Sequence, residues 1–150
     1  MKETKIVDKF FEKMGIKAKS QISISEEILM VEVFPEDEDL ISLLIGFKGE
    51  NLLAFQHILS LVLYRNFKKS RKVLLDISGY RAKRQNYLED LARKLAEKVK
   101  KNSRLEIMRP MNAFERRVIH MALSEVPGII TESVGEEPYR RVMIKIEDSN

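Results

Sequence analysis

The sequence predicts an α+β protein made of two small modules in series, and three observations support this class. Short segments with the two-residue alternation of β-strands lie between segments with the spacing of amphipathic helices. The 150 residues, 44% of them hydrophobic, suffice for one domain or for two very small ones. Gly79 closes a first group of elements, and a long helical segment then opens the second half.

Six elements are predicted in the first half, in the order α-β-β-α-α-β. They are a helix over 4–14, a strand around Ile22 and Ile24, a strand over 28–34, a short helix over 40–45, a longer helix over 50–67 and a strand over 73–78. Pro35 ends the second strand, and the acidic run 36–39 stands where a helix N-terminus favours negative charge.

The second half is predicted to contain two helices and three strands. A long helix over 80–101 carries the apolar stripe Leu88, Leu91, Ala92, Leu95, Ala96 and Val99. A strand over 105–108 follows, and then a helix from Asn112 to about 125. Asn112 is its expected N-cap, with Glu115 in the capping-box position. Strands over 129–134 and 139–147 complete the second half.

Composition restricts the compartment and the chemistry. Because the chain has no cysteine, disulfides and thiolate metal sites are excluded, and a reducing compartment is indicated. The longest apolar run, 58–64, is too short to cross a bilayer, and the first residues carry no signal-peptide core. The sequence therefore predicts a cytoplasmic protein with no membrane-spanning segment.

Positive charge is concentrated in the middle of the chain. The net charge is only +4, but residues 61–104 hold fourteen basic and four acidic side chains. A local positive field of this kind favours polyanion binding, whereas solvated helix faces are the ordinary alternative. The predicted supporting basic patch consists of Lys68, Lys69, Arg71, Arg81 and Arg84.

Two glycines bracket a turn between two predicted helices at residues 46–49. Glycine permits unusual backbone angles and close approach to a ligand. The helix that follows directs its free N–H groups and its positive dipole end at the turn. This pattern predicts a clamp for a sugar-phosphate backbone, although a plain helix–helix turn would have the same short pattern. The residues assigned to the clamp are Gly46, Phe47, Lys48, Gly49, Glu50 and Asn51.

The surroundings of this turn suggest how bases would be held. Leu44, Ile45 and Leu52 are expected to wall a groove for unstacked bases. Phe47 has two interpretations: it stacks on a base, which contributes about 1–3 kcal/mol per base, or it packs into the groove. Packing is favoured, because a lone apolar residue beside an apolar helix usually packs.

A second motif places Arg116 and His120 four residues apart, on one face of a helix, with Arg117 adjacent. Such a set can present several donors to a phosphate from a rigid element. The alternative is a histidine bonded to a neighbouring strand carbonyl, with its arginine in a surface ion pair.

No catalytic constellation is recognisable in the sequence. The chain has two histidines, His57 and His120, and lacks H-E-x-x-H, P-loop and nucleophile-elbow patterns. Ser133 near His120 has no flanking oxyanion device. The sequence therefore predicts a protein that is not an enzyme and that needs neither a cofactor nor a metal.

The chain resembles a known family. The order α-β-β-α-GxxG-α-β is that of a bacterial-type KH domain. Residues 46–52 and 75–81 resemble the KH domain of the Jag proteins, also called KhpB or SpoIIIJ-associated. Residues 110–117 and 131–141 resemble their second domain, R-three-H, whose defining pair Arg116 and His120 match. The resemblance covers about residues 1–147 and implies a KH domain over 1–79 and a small R-three-H domain over 80–150, joined by the long basic helix.

The resemblance also carries functional expectations. It implies binding of single-stranded RNA, with single-stranded DNA left open, in post-transcriptional control linked to cell envelope growth or membrane-protein insertion. The partners that it implies are a small KH-only protein and a membrane-protein insertase, and a scaffold that docks on them is the alternative function. Arg140 and Arg141 are also expected at the ligand, although only one of them can share the face of Arg116.

Two departures from the family pattern matter. Family members commonly have basic residues at both middle positions of the glycine turn, whereas here Phe47 leaves Lys48 as the only cation. Binding through this module is therefore expected to be weak. The family's separate small N-terminal domain is not in the sequence, which leaves open whether this member has one.

Overall fold

The chain divides into two compact units in a computed structural model that describes residues 1–148. The first unit is Met1–Arg81, and the second begins at Ala82. Each unit combines helices with a three-stranded sheet, so the predicted α+β class is confirmed. Positions 149 and 150, the end of the predicted second domain, lie outside the described residues.

The first unit has the predicted order α-β-β-α-α-β, with a short 3-10 turn between its last two helices. Its elements are α1 (Lys2–Lys13), β1 (Ala18–Ser25), β2 (Ile28–Pro35), α2 (Glu38–Ile45), the 3-10 turn Phe47–Gly49, α3 (Glu50–Phe67) and β3 (Lys72–Ile77).

Strand β2 is the centre of the first sheet. It pairs with β1 antiparallel and with β3 parallel, because the two helices α2 and α3 form the crossover between β2 and β3. Its alternate residues Leu29, Val31 and Val33 are buried, while Glu32 is exposed. One face of the sheet therefore packs against the helices, and Phe11 of α1 and Leu59 of α3 belong to the same core.

The second unit begins within a long helix. Its elements are α4 (Tyr80–Asn102, of which the first two residues belong to the first unit), β4 (Glu106–Ile107), α5 (Ala113–Leu123), β5 (Ile129–Val134) and β6 (Arg141–Ile146). The sheet is antiparallel in the order β4-β6-β5.

The core of the second unit confirms the stripe predicted for the long helix. The buried residues of α4 are Leu88, Ala92, Ala96 and Val99. They form one cluster with Ile119 and Leu123 of α5 and with Val142 and Ile144 of β6. Both helices thus share one core with the inner face of the sheet.

The start of α5 confirms only half of the predicted capping box. The Asn112 side-chain oxygen accepts a hydrogen bond from the Glu115 backbone N–H at 2.9 Å, as an N-cap does. The Glu115 carboxylate does not complete the box, because it is buried and accepts a bond from Arg84 Nε at 2.7 Å.

Two strands are shorter than the sequence pattern predicts. Strand β4 has two residues, and β6 begins at Arg141 because Tyr139 N–H donates to the Glu136 carbonyl at 2.8 Å and closes a turn. Within residues 1–148, no helix combines the length and apolar character needed to span a bilayer.

Candidate nucleic-acid interface

The glycine turn of the first unit has a left-handed backbone at three positions. The φ angles are +70° at Gly46, +52° at Lys48 and +81° at Gly49. Glycine adopts this region without a steric penalty, and Lys48 adopts it as a single residue. Helix α3 begins immediately after the turn, so the N-terminal end of its dipole lies at the turn.

Phe47 projects from the turn toward solvent. Its side chain is 72% exposed, and Lys48 Nζ lies 5.2 Å from the centre of its ring. The prediction that Phe47 packs into a groove is wrong, because most of its side chain is exposed to solvent. An exposed ring beside an ammonium group is suited to stacking on a base whose phosphate meets the cation.

Asn51 supports the turn from inside. Its Nδ2 donates to the Leu43 carbonyl at 2.7 Å. A Cβ on Gly46 would lie 2.5 Å from Asn51 Cγ, so the side chain fills the space that glycine leaves open. On the other side, a Cβ on Gly49 would lie 3.1 Å from the Tyr80 ring. Asn51 therefore helps to position the turn.

The predicted groove walls are not where the sequence suggested. Leu44 and Leu52 are almost fully buried in the core, so they cannot contact a base. Ile45 is only partly buried. Glu50 is exposed in the first turn of α3, and its carboxylate opposes a phosphate, so its contribution to binding is limited to its backbone.

Arg116 is buried in the second unit. Its Nη1 donates to the Met111 carbonyl at 2.7 Å, and its Nη2 lies 2.6 Å from Glu137 Oε1. The Arg116 side chain is only 9% exposed, whereas that of Glu137 is 59% exposed. The expectation that Arg116 presents open donors therefore requires correction: its guanidinium is held by its own protein, and a solvent-exposed carboxylate covers its outer end.

His120 lies between α5 and β5 with both ring nitrogens engaged. Nδ1 is 2.6 Å from the Thr131 hydroxyl, and Nε2 is 2.7 Å from the Ser133 hydroxyl. Burial lowers the pKa of His120, and the positive charge of Arg116 lowers that pKa further. The neutral ring donates through one nitrogen and accepts through the other. The hydroxyl that accepts from the ring keeps its own proton for a further acceptor.

The remaining arginines of this surface differ in exposure and direction. Arg117 is exposed on α5. Arg140 Nη1 donates to the Gly135 carbonyl at 2.7 Å, and the Arg140 carbonyl accepts from Met111 N–H, the residue that also holds Arg116. Arg141 lies opposite Val134 in the register of β5 and β6.

This register resolves which of the two adjacent arginines lies with Arg116. Residues two apart on a strand share a face, and Val142 faces the core under α5. Arg141 is therefore on the outer face of the sheet, whereas Arg140 precedes β6 and is linked to Arg116 through Met111.

The predicted basic patch is only partly open. Lys68 and Lys69 are exposed, and Arg71 Nη1 lies 3.9 Å from Glu3 Oε1. Arg84 is paired with Glu115, as described above.

Arg81 is held inside the first unit. Its Nε donates to the Leu75 carbonyl and its Nη2 to Gln56 Oε1, both at 2.8 Å. Burial lowers the pKa of Arg81, while the charge of Asp76 raises it, and a guanidinium stays protonated at neutral pH. Arg81 and Arg84 therefore act as structural cations in this structure and not as members of an open patch.

Sequence reasoning missed several of the side chains that bond to Arg81, Arg116 and His120. Gln56, Thr131 and Glu137 were not predicted to have roles, and Ser133 was considered only as a nucleophile. Strand parity could have found Thr131 and Ser133, because both are in phase with the buried Ile129. No local signal marks Gln56 or Glu137. Among residues 1–148, no cluster of histidine and acidic side chains is arranged to hold a metal ion.

Comparison with known proteins assigns the family. The model of the R-three-H domain matches residues 86–145, which include α5, β5 and all but the last residue of β6. RNA-binding protein KhpB from Clostridium symbiosum is 34% identical over 149 residues, which are 99% of this chain and 67% of that protein. The chain belongs to the KhpB family.

This chain covers a smaller share of the length of other relatives in the KhpB family. RNA-binding protein KhpB from Bacillus subtilis is 34% identical over 132 residues, 87% of this chain and 63% of that protein. The protein of the same name from Streptococcus pneumoniae is 32% identical over 104 residues, 69% of this chain and 32% of that protein. The chain thus spans from 32% to 67% of the length of these KhpB proteins.

Proposed function

We propose that this chain binds single-stranded RNA through two surfaces, one in each unit. The name that the relatives carry, RNA-binding protein KhpB, supports the class of ligand. The observation that carries the proposal is the glycine turn, where the exposed Phe47 ring and Lys48 stand together at the N-terminus of an 18-residue helix. We assign residues 1–79 to a KH domain, and we assign residues 80–150 to an R-three-H domain.

At the first surface, the turn holds one phosphate and one base. Backbone N–H groups at the start of a helix and the Lys48 ammonium attract the phosphate. Phe47 offers a platform on which any base can stack, so recognition demands little sequence. Because the turn has one cation, Lys48, this surface alone contributes little to the free energy of RNA binding.

At the second surface, the contacts are made by the exposed Arg117 and by the partly exposed Arg140, Thr131 and Ser133. Arg117 and Arg140 supply positive charge, and whichever of the Thr131 and Ser133 hydroxyls accepts from His120 keeps its own proton for a phosphate oxygen. Arg116 acts first as a positioning residue, because it ties Met111 to the turn that carries Glu137. It contacts a phosphate only when the phosphate displaces the Glu137 carboxylate from Nη2.

The finer expectations from the family resemblance extend this proposal. They are action in the cytoplasm, control of messenger RNA linked to envelope growth, acceptance of single-stranded DNA, and no catalytic step. The proposed partners other than RNA are a small KH-only protein and a membrane-protein insertase.

A protein-docking scaffold is a second candidate, because α5 also exposes two large apolar side chains. Phe114 is 60% exposed and Met121 is 65% exposed on the helix that carries Arg117. Salt distinguishes the two functions. Each phosphate contact lowers the slope of log affinity against log salt by about 0.7 for single strands, whereas apolar docking is nearly independent of salt.

Fluorescence polarisation with short RNA and DNA strands at several salt concentrations tests the proposal. We expect Phe47→Ala to weaken binding through lost stacking, and Lys48→Ala and Arg117→Ala each to weaken binding and to flatten the salt slope by about 0.7. Lys9→Ala on α1 and Arg104→Ala after α4 are matched charge controls, since both side chains are exposed. If the controls weaken binding as much as Lys48→Ala and Arg117→Ala, the assigned surfaces are wrong.

The role of Arg116 is tested with two adjacent glutamates. Glu137→Gln removes the carboxylate that covers Arg116, and Glu136→Gln removes the same charge from the neighbouring exposed position. We expect Glu137→Gln to raise RNA affinity more than Glu136→Gln does. Equal effects of the two substitutions would mean that Arg116 does not reach the phosphate.

A further inference from the structure

Two hydroxyl groups flank a single histidine ring in the second unit. Thr131 and Ser133 lie two residues apart on β5, and their side-chain oxygens are 2.6 Å from His120 Nδ1 and 2.7 Å from His120 Nε2, respectively. The imidazole is thus bonded on both sides, once to each hydroxyl. Because both ring nitrogens are engaged, the protonation of the ring determines which hydroxyl keeps a proton for a ligand.

The two hydroxyls are not equivalent when His120 is neutral. The ring then has one N–H, which donates to one hydroxyl, and one bare nitrogen, which accepts the proton of the other hydroxyl. The first hydroxyl keeps its own O–H for an outside acceptor, whereas the second offers only lone pairs to the outside. Burial lowers the pKa of His120, which favours this neutral form at pH 7. Neutral His120 therefore makes one hydroxyl a donor and the other an acceptor.

The hydroxyl pair lies on an edge strand and is partly open to solvent. Strand β5 is the last strand in the order β4-β6-β5, and Thr131, Ser133 and His120 are all partly exposed. Glu132 stands between the two hydroxyl residues but on the opposite face of the strand, where Lys145 Nζ lies 3.0 Å from its carboxylate. The carboxylate of Glu132 therefore does not compete with a ligand for the hydroxyl pair.

Arg117 supplies the positive charge that a phosphate needs beside this pair. It is exposed on α5 three residues before His120, and residues three apart are neighbours on a helix. A phosphate held by Arg117 accepts from the hydroxyl that keeps its proton. In RNA, the ribose carbon that carries the 2′-hydroxyl is bonded to the carbon that carries the 3′ phosphate. A donor of the same nucleotide is therefore close to the hydroxyl that can only accept.

We propose that Thr131 and Ser133, held by His120, distinguish RNA from DNA: one hydroxyl donates to a phosphate oxygen, and the other accepts from the ribose 2′-hydroxyl of the same nucleotide. The inference rests on the proposed function, because it concerns the same second surface, and it adds the residues that choose between the two nucleic acids. DNA keeps the phosphate contact but lacks the 2′-hydroxyl, so it leaves the accepting hydroxyl without a donor. DNA therefore binds, but more weakly than RNA.

Titration of the full chain with matched strands tests the proposal. The strands are an oligouridine RNA, its 2′-deoxy form and its 2′-fluoro form, which favours the ribose pucker of RNA but cannot donate a hydrogen bond. All three have the same bases, so a donor on a base edge contributes equally to each. We expect the RNA to bind about fivefold more tightly than either modified strand, the effect of one net hydrogen bond. A 2′-fluoro strand that binds as tightly as the RNA overturns the proposal.

Removal of the two hydroxyls assigns the preference to this pair. The double variant Thr131→Val with Ser133→Ala should reduce the preference for RNA over the 2′-fluoro strand about fivefold, with urea unfolding as the check that it is folded. Ser23→Ala, at an exposed position of β1, is the matched control and should leave the preference unchanged. A preference that survives the double substitution overturns the assignment.

The same titrations separate this inference from the proposed function. If none of the three strands binds the unsubstituted chain, the proposed function fails and the inference fails with it. If all three strands bind with equal affinity, the proposed function stands and only the assignment of the hydroxyls fails. The comparison of the RNA with the 2′-fluoro strand uses the unsubstituted chain, so it does not depend on the folding of any variant.

Discussion

Arg116 and His120 were predicted to present open donors, but in the structure both side chains are bonded to other residues of the protein. The spacing of the two residues correctly places them on one helix face. Their neighbours, however, come from the β5–β6 hairpin and from the segment before α5, which local sequence does not reveal. The hydrogen bonds to Thr131, Ser133 and Met111 and the ion pair with Glu137 then engage both side chains.

The environment of His120 predicts a pH dependence of stability. Because the folded-state pKa is lowered, the unfolded state binds the proton more readily once the pH falls below about 6.5, the ordinary histidine pKa. The stability that neutral His120 contributes is present above that pH and is lost as the pH falls through the folded-state pKa. We expect the urea midpoint of the second unit to decrease from pH 7 toward pH 5.5.

Substitution of each histidine provides the control. His120→Gln removes the titrating group and should flatten the decrease, while His57→Gln, at an exposed position of α3, should leave it unchanged. A decrease of the same size in His120→Gln would assign the pH dependence to other groups.

At the scale of elements, β3 is held at the edge of its sheet by side chains. Gln56 Oε1 accepts the Leu75 N–H at 3.0 Å and Arg81 Nη2 at 2.8 Å, and Arg81 Nε donates to the Leu75 carbonyl. The Arg81 N–H donates to Asp76, so the same arginine is bonded through both its backbone and its side chain. Covering an edge strand in this way protects it from pairing with another chain.

We predict that Gln56→Leu destabilises the first unit by about 1–3 kcal/mol, since it leaves the Leu75 N–H and one Arg81 donor without their acceptor. Urea unfolding measures the loss, and hydrogen exchange should show faster exchange of the Leu75 amide. Gln21→Leu on the exposed side of β1 is the control and should change stability by less than about 0.5 kcal/mol. A Gln56→Leu variant as stable as the control would show that these bonds are not what fixes β3.

The same elements show what the sequence can predict. Periodicity located each helix, and alternation located the strands, because burial of one face is a local pattern. The Asn112 cap was predictable for the same reason. Phe47, Leu44 and Leu52 were assigned wrongly, because whether an apolar side chain near a turn meets the core or solvent depends on how the helices pack. Glu137 and Gln56 act across 21 and 25 residues, respectively, so their partners depend on the tertiary fold.

At the scale of the whole molecule, two weak surfaces on one chain can bind one strand together. A second contact on the same strand acts at a high effective concentration. We expect a strand of about 20 nucleotides to bind about 100-fold more tightly than one of about four, the length that a KH module grips. Lys48→Ala and Arg117→Ala should each remove most of this gain, so that their effects on the long strand are not additive.

Fluorescence polarisation with the two strand lengths measures this gain. An affinity independent of strand length would mean that the two surfaces do not share one strand.

The packing of Asn51 against Gly46 and of Tyr80 against Gly49 restricts how this protein can evolve new preferences. A side chain at Gly46 would collide with Asn51, and one at Gly49 would crowd the ring of Tyr80, the first residue of the helix that leads out of the unit; both glycines also have a positive φ, which strains any other residue. Position 47 carries no such restriction, since Phe47 points to solvent, whereas position 48 has a left-handed backbone that disfavours β-branched side chains. Substitutions that change the nucleotide preference of this turn are therefore expected at positions 47 and 48 and not at the two glycines.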